Sequence, residues 1–218
     1  MLNYEGPQLI VCWHEQNAAF RLRRTGAVTS ATTHSISGTA RANCMKILAM
    51  GADGIGSYFG AKLKLAGEDV YFADRDEHLH ALKADGLTVR GPEGEKTVSI
   101  SSTDTPAEFA PYDLVLFCVK SYDTVSAARQ LKGCLTPDAA IMTLQNGVEN
   151  EATLCTIFPR AQVMGGDARV SAEIVAPGVL VHGDHGHIEF GELDGSETPH
   201  AALCRTLPAS GNSRSADA

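Results

Sequence analysis

Met45–Leu63, with the sequence MKILAMGADGIGSYFGAKL, is the stretch that decides the fold of this chain. Its apolar residues predict a strand over Lys46–Met50 and a helix from about Gly54 to Ala66. Between them lies a glycine-rich turn, and this order of strand, turn and helix is the setting that a dinucleotide fingerprint G-x-G-x-x-G requires. The stretch therefore predicts a phosphate-binding turn at the start of a Rossmann-type sheet.

The glycine turn carries the candidate cofactor-binding residues. Gly51 permits the tight turn, Gly56 lets the helix pack closely on the sheet, and the amides at the helix start face a diphosphate. Asp53 departs from the fingerprint, because a carboxylate stands where a glycine normally lets the backbone approach the diphosphate. Its bulk and charge should weaken binding unless the side chain turns outward, although Gly54 partly relieves the crowding. The predicted cofactor-binding residues of the turn are Gly51, Ala52, Asp53, Gly54, Ile55 and Gly56.

Short apolar runs alternate with amphipathic stretches along the following residues. DLVLFCV at 113–119 is a nearly unbroken apolar run, typical of a central parallel strand covered on both faces. Further strands are predicted at 69–73, 140–144, 162–164, 178–182 and 187–190, a hairpin at 87–101, and helices at 121–132 and 149–157. This alternation predicts an α/β fold, a Rossmann-type doubly wound and mainly parallel sheet in a single domain with disordered flanks.

Composition divides the chain into three parts. Residues 1–44 lack a sustained apolar period and are expected to form a disordered extension, translated from upstream of a start at Met45 or acting as a targeting segment. Residues 45–195 are expected to form the dinucleotide-binding domain. Residues 196–218 lose the periodicity and are expected to be a short tail.

Charge and cysteine content narrow the class of protein. A formal net charge of −8 and a sequence pI near 5.4 give no basic field, so a nucleic-acid partner is not expected. The six cysteines are scattered without a C-x-x-C pair, which favours a reduced, cytoplasmic protein. No apolar run reaches the roughly 18 residues that a membrane span needs, so no membrane association is expected.

Asp74 and Arg75 follow the second strand about 20 residues after the turn, where the ribose of a dinucleotide is read. A carboxylate there selects the 2′-hydroxyl of NAD, whereas an arginine accepts the 2′-phosphate of NADP. The guanidinium geometry of Arg75 suits bidentate phosphate binding, so we expect NADP (NADPH) rather than NAD. The alternative is two solvated charges on a loop.

Four motifs together resemble the ketopantoate reductase (2-dehydropantoate 2-reductase) family. They are the glycine-turn stretch at 45–63, CVKSYDT at 118–124, LQNGVEN at 144–150 and VAPGVLVHGDHGHIEFG at 175–191. The resemblance covers about Met45 to Gly195. It implies that residues 51–56 hold the pyrophosphate, Arg75 the 2′-phosphate, and that Lys120 lies near the cofactor and substrate cleft.

The resemblance also implies that Asn146 touches both the nicotinamide ribose and the substrate, and that Ala172 contacts the cofactor. Lys120 and Asn146 fall just past the carboxyl ends of predicted parallel strands, where ligands of open α/β sheets bind. The alternatives are a surface lysine at a strand end for Lys120 and simple Asn-Gly turn chemistry for Asn146.

Members of the family use NADPH to reduce 2-dehydropantoate, a 2-keto acid, to pantoate on the route to pantothenate and coenzyme A. The resemblance assigns the proton donor to a lysine in a helical C-terminal domain, and no lysine follows Gly195 in this sequence. We therefore identify no catalytic residue here and expect a truncated chain with only the short tail 196–218 in place of that domain. An NADP-binding remnant without turnover and a nonfunctional truncated product are the alternatives, and the oligomeric state stays open.

Two other patterns are interpreted as structural. Tyr58 and Lys62 satisfy the Tyr-x-x-x-Lys spacing of short-chain dehydrogenases, but they lie in the first helix, so we expect a packing tyrosine and a solvated lysine. A second group could coordinate a metal, although residues on a strand face the same way only in part, and no metal site is expected. Its members are His182, Asp184, His185 and His187.

Overall fold

The computed structural model describes residues 9–14, 19–24, 45–183 and 186–195. The strands are β1 Leu9–His14, β2 Ala19–Arg24, β3 Lys46–Met50, β4 Asp69–Ala73, β5 Leu87–Gly91, β6 Gly94–Val98, β7 Ser101–Thr103, β8 Tyr112–Phe117, β9 Leu135–Thr143, β10 Val163–Arg169, β11 Ala172–Ala176, β12 Val179–His182 and β13 His187–Glu192. The helices are α1 Gly54–Leu65, α2 Asp76–Asp85, α3 Thr124–Gln130 and α4 Asn150–Cys155.

The larger sheet has the order β2-β1-β13-β10-β9-β8-β3-β4-β7. Its six strands from β10 to β7 are mutually parallel, and β13 joins β10 in the antiparallel sense. In chain order these six strands are arranged 3-2-1-4-5-6, which is the doubly wound Rossmann arrangement. The predicted fold class is confirmed. The strand order reverses between β3 and β8, and this switch point is where such sheets bind ligands.

The central strands are buried because their sequences are apolar on both faces. Ile47, Leu48 and Ala49 of β3 are fully buried, and the even and odd positions belong to two separate core clusters. One cluster includes Phe59 of α1, and the other includes Leu154 of α4. Helices therefore cover both faces of the parallel sheet, as its near-continuous hydrophobic strands require.

A second sheet, of order β11-β12-β5-β6, lies beside α1 and contains a hairpin at 87–98, where the sequence predicted one over 87–101. This sheet changes the surroundings of the Tyr-x-x-x-Lys pair. Tyr58 is buried and its hydroxyl accepts a hydrogen bond from the Gly186 amide at 2.9 Å, as expected for a packing residue. Lys62 is also buried, with Nζ 3.4 Å from Oε1 of Glu93 in the hairpin turn. The expectation of a solvated Lys62 is therefore wrong, because the hairpin covers the helix face that carries it.

The structure also differs from the sequence-based expectation in the segments before and between the predicted strands. Within 1–44, where we expected disorder, β1 and β2 pair with each other and β1 pairs with β13. The remaining residues of that extension, and the predicted tail at 196–218, lie outside the described residues. Strands β7 and β11 were not predicted, because β7 has only three residues and β11 is largely exposed.

The second sheet also fixes the beginning of α1. A Cβ built on Gly54 would lie 2.1 Å from the backbone oxygen of Ala172 and 2.8 Å from its carbonyl carbon. Strand β11 thus packs directly against the first turn of the helix. Only a residue without a side chain fits this contact unless one of the two backbones moves.

Replacing Gly54 by alanine should therefore destabilise the fold. We expect Gly54→Ala to lower the free energy of unfolding by about 1–3 kcal/mol through steric overlap with β11. The matched control is Gly191→Ala, because a Cβ at Gly191 meets no atom within 4 Å. Urea denaturation followed by circular dichroism measures both variants, and equal stabilities would refute the packing argument.

Candidate functional site

The carboxyl ends of four parallel strands surround a cleft of about 300 Å³ at the switch point. The turns after β3, β4, β7 and β8 supply its walls, and α3 supplies one side. Its lining residues are Met50, Gly51, Ala52, Asp53, Ala73, Asp74, Arg75, Asp104, Val119, Lys120, Tyr122, Asp123, Ser126, Ala127 and Gln130. The predicted residues Gly51, Ala52, Asp53, Arg75 and Lys120 thus face one cleft.

Gly51 brings the turn after β3 close to the loop after β8. Its φ of +95° lies in a region that side chains disfavour, and a Cβ there would lie 2.9 Å from the Val119 amide nitrogen. The Gly51 amide donates to the Ala73 carbonyl at 2.9 Å, and the Cys118 amide donates to the Met50 carbonyl at 2.8 Å. The turn after β3 is therefore held between the exits of β4 and β8.

Asp74 holds the glycine turn from the β4 side. Its carboxylate accepts a hydrogen bond from the Ala52 amide at 3.1 Å and another from the Arg75 amide at 2.7 Å. Burial raises the pKa of the Asp74 carboxyl, while both hydrogen bonds act in the opposite direction. Both oxygens therefore contact backbone amides, which is a different task from selecting a ribose hydroxyl.

Arg75 is exposed at the cleft and forms an ion pair across it. Its Nη2 lies 2.8 Å from Oδ2 of Asp123, a residue on the short 3₁₀ turn that precedes α3. Arg75 Nε is 3.8 Å from the carboxylate of Asp76 at the start of α2. The guanidinium therefore lies between the β4 and β8 exits, within reach of any group bound in the cleft.

Asp53 and Lys120 form a second ion pair, between the turn after β3 and the loop after β8. Asp53 Oδ2 lies 2.8 Å from Lys120 Nζ, and both side chains are more than half exposed. The hydrogen bond and charge of Asp53 raise the pKa of Lys120 above its usual value. Asp53 precedes α1 as its N-cap residue, yet its side chain makes no capping hydrogen bond. The carboxylate thus points away from the helix start and toward the loop after β8.

The remaining predicted residues lie around the cleft and do not line it. Asn146 is exposed in the turn after β9, and its carbonyl accepts hydrogen bonds from the Ser121 hydroxyl at 2.9 Å and the Asn150 amide group at 3.0 Å. Gly54, Ile55 and Gly56 belong to the first turn of α1. Gly56 packs tightly there, since a Cβ would lie 3.2 Å from the Cβ of Cys118. Ala172 reaches the region through its backbone contact with Gly54.

Of the histidine group considered for metal binding, the structure describes His182 and His187. His182 is buried and its ring packs edge-on against Tyr58, with centroids 5.0 Å apart. His187 Nε2 lies 3.8 Å from Glu189, while Asp184 and His185 fall outside the described residues. Within 45–183 and 186–195, no three metal-ligating side chains are placed to share an ion, and no helix is long and apolar enough to cross a membrane.

Sequence reasoning missed several residues of the lining. Asp104 follows β7, a strand too short for periodicity to reveal, and it lies at the same sheet edge as Arg75. Asp123 and Tyr122 lie three and two residues beyond Lys120, in the quoted motif CVKSYDT, but no role was assigned to them. Their position directly after a strand end was a usable signal. The pairing of Asp123 with Arg75 could not be predicted, because 48 residues separate them in the chain.

A doubly wound sheet with a glycine turn and two cations at its switch point defines a Rossmann-type domain of the class that holds nicotinamide dinucleotides in oxidoreductases. The family model described as "Ketopantoate reductase PanE/ApbA" matches residues 47–195. The chain belongs to this ketopantoate reductase family.

Individual relatives agree with this assignment. The chain is 37% identical over 161 residues to a 2-dehydropantoate 2-reductase of Halobacterium salinarum, covering 72% of this chain and 52% of that protein. The crystal structure of 2-dehydropantoate 2-reductase from Geobacter metallireducens superposes with a TM-score of 0.69 at 30% identity, covering 75% and 54%. A PanE/ApbA family ketopantoate reductase from Ralstonia eutropha has a TM-score of 0.60 at 38% identity, covering 63% and 46%. The chain thus spans about half the length of the relatives it matches.

The surroundings of Asp74 predict a pH-dependent contribution to stability. A raised pKa means that the folded protein holds this proton more tightly than the unfolded chain, so the contribution is present below the unfolded-state pKa. It is lost as the pH rises through the folded-state pKa. Asp74→Asn abolishes this titration, whereas Asp138→Asn at an exposed site controls for the loss of one carboxylate.

We expect the unfolding free energy of the wild type minus that of Asp74→Asn to decrease as the pH is raised from about 3 to about 7. The difference between the wild type and Asp138→Asn should change much less. Urea denaturation at a series of pH values measures both differences. A constant wild-type to Asp74→Asn difference would contradict the assigned environment.

Proposed function

We propose that this chain binds NADPH in the switch-point cleft and serves as the cofactor domain of a ketopantoate-reductase-type oxidoreductase acting on a 2-keto acid. The observation that carries the proposal is the convergence of the glycine turn, Arg75 and Lys120 on one cleft at the point where the strand order reverses. Membership of the family and the names of its relatives support the same reading. The reduction of 2-dehydropantoate to pantoate is the activity we propose for the whole protein.

The cleft fits a dinucleotide on physical grounds. The first amides of α1 have no intrahelical partners, and the positive end of the helix dipole favours a diphosphate there. The backbone of Gly51 packs against Val119. Because glycine has no side chain, the surface of the turn stays accessible to a ligand. Arg75 and Lys120 add positive charge at opposite walls. Among these residues of the cleft, Asp53 alone adds negative charge, at the position where a diphosphate would approach the backbone most closely.

Arg75 is the group that favours NADP over NAD in this proposal. Its guanidinium is exposed, lines the cleft and follows β4, where a bound ribose would lie. A planar guanidinium can donate two parallel hydrogen bonds to a phosphate. Asp74, the residue that would select a 2′-hydroxyl, directs its carboxylate toward two backbone amides.

Lys120 and Asn146 are assigned to the part of the cleft where cofactor and substrate would meet. When bound, NADPH would supply the hydride for reduction of the keto group. The ammonium of Lys120 can orient an anionic substrate or cofactor group, and the exposed amide of Asn146 can hydrogen-bond a carbonyl or hydroxyl oxygen. The Ser121 hydroxyl holds the two loops together through the Asn146 carbonyl. We assign the reaction's proton donor to no residue of the described chain.

Cofactor preference is tested by titrating the chain with NADPH and NADH while following cofactor fluorescence. We expect Arg75→Ala to weaken NADPH binding by about 10- to 100-fold through loss of the phosphate contact, and to change NADH binding by less than about twofold. Arg90→Ala is the matched control, because Arg90 is an exposed, ion-paired arginine on the second sheet. Equal loss for both cofactors would contradict the assignment of Arg75 to the 2′-phosphate.

Turnover is tested by adding ketopantoate to the NADPH-loaded chain and measuring NADPH absorbance together with pantoate formation. Oxidation of NADPH matched by pantoate would support the reductase activity in this chain. NADPH binding without oxidation would favour the second candidate, an NADP-binding module without turnover. That the reaction's proton donor is assigned to no residue of the described chain is what favours this second candidate.

A further inference from the structure

The two walls of the switch-point cleft are joined by an ion pair that the fingerprint does not call for. Asp53 lies in the turn after β3, Lys120 lies in the loop after β8, and their charged atoms are 2.8 Å apart. A dinucleotide fingerprint has glycine at the position of Asp53 so that the backbone can approach a pyrophosphate. In this chain a carboxylate stands at that position and contacts a cation of the cleft.

We propose that the Asp53–Lys120 ion pair is an internal competitor that sets the affinity of the cleft for anionic dinucleotides. The carboxylate of Asp53 neutralises the ammonium that a bound phosphate group would contact, so a dinucleotide must displace Asp53 before it gains Lys120. This inference rests on the proposed function, because it concerns the same cleft. It assigns Asp53 as an affinity-determining residue and Lys120 as the group through which it acts.

The charges along the cleft agree with this competition. The lining contains the carboxylates of Asp53, Asp74, Asp104 and Asp123, against the cations of Arg75 and Lys120. Arg75 is paired with Asp123 at 2.8 Å, in the same manner as Lys120 with Asp53. An incoming dinucleotide therefore meets two cations that each have a carboxylate partner, and the exchange of partners offsets part of the attraction.

Asp53 contributes little to the fold through its side chain. Its carboxylate makes no capping hydrogen bond to α1, and the exposed fractions of the two side chains are 52% for Asp53 and 61% for Lys120. Ion pairs at such exposure contribute little to stability. Removing this carboxylate should therefore alter ligand binding while the protein stays folded.

Asp53→Asn tests the proposal, since asparagine keeps the size of the side chain and removes its charge. We expect Asp53→Asn to bind NADPH at least about tenfold more tightly than the wild type in fluorescence titrations at low salt. Asp167→Asn is the matched control, because Asp167 and Arg169 form an ion pair at 2.9 Å with exposed fractions of 59% and 60% on β10. This control should bind NADPH as the wild type does.

A double-mutant cycle shows whether Asp53 acts through Lys120. In a Lys120→Ala background the gain from Asp53→Asn should fall below about threefold, because the competing pair no longer exists. The affinity of Asp53→Asn should also decrease more steeply with added salt than that of the wild type, since more unpaired positive charge then meets the ligand. Thermal unfolding of each variant verifies that the fold is intact.

Three outcomes would overturn the proposal. Wild-type affinity in Asp53→Asn would show that the carboxylate does not compete, and it would leave the proposed NADPH binding untouched. If Asp53→Asn gave the full gain in NADPH affinity in the Lys120→Ala background, the gain would come from charge repulsion by Asp53 and not from its ion pair with Lys120. Absence of NADPH and NADH binding in the wild type and in every variant would overturn the proposed function together with this inference.

Discussion

The close contact between the turn after β3 and the loop after β8 is the constraint on which the cleft depends. Gly51 approaches the backbone at Val119 so closely that a single methyl group would collide with it, and its φ is positive. The contact is possible because β3 and β8 are paired in register from Ile47 to Met50. Every charged residue of the cleft takes its position from strands aligned in this way.

Hydrogen bonds of the backbone extend this constraint to β4. The Ala52 amide is bound by the Asp74 carboxylate, and the Gly51 amide by the Ala73 carbonyl. The second sheet acts from the other side, where Ala172 packs against Gly54 at the start of α1. The backbone of the glycine turn is therefore held by contacts with three separate elements. Adjustment of the turn to a ligand is then left to side chains. Asp53 and Lys120 are the two exposed ones that meet there.

The sequence predicted the parts of the fold that rest on local, strongly apolar patterns. Strands β3 and β4 have the predicted bounds because each is a short buried run, and α1 ends within one residue of its prediction. The rule that ligands of open α/β sheets bind past the carboxyl ends of parallel strands pointed to Lys120, which lines the cleft, and to Asn146, which lies outside its lining. The burial of Lys62 and the pairing of Arg75 with Asp123 could not be predicted, because both depend on contacts between distant segments. The same applies to β1, which pairs with β13, and to β2, which pairs with β1.

Asp74 and Arg75 are neighbours in the sequence, and by residue type they indicate different cofactors. Their contacts in the structure give them separate roles. The Asp74 carboxylate faces the glycine turn, where a ribose hydroxyl would have to share it with two amides. In the proposed function, discrimination between the dinucleotides falls to Arg75, whose guanidinium is partnered by Asp123. Specificity is a difference between two affinities, so a partner that weakens the phosphate contact lowers the preference for NADP without creating one for NAD. In the proposed function, the degree of NADP preference is therefore set as much by Asp123, on the β8 side, as by the arginine after β4.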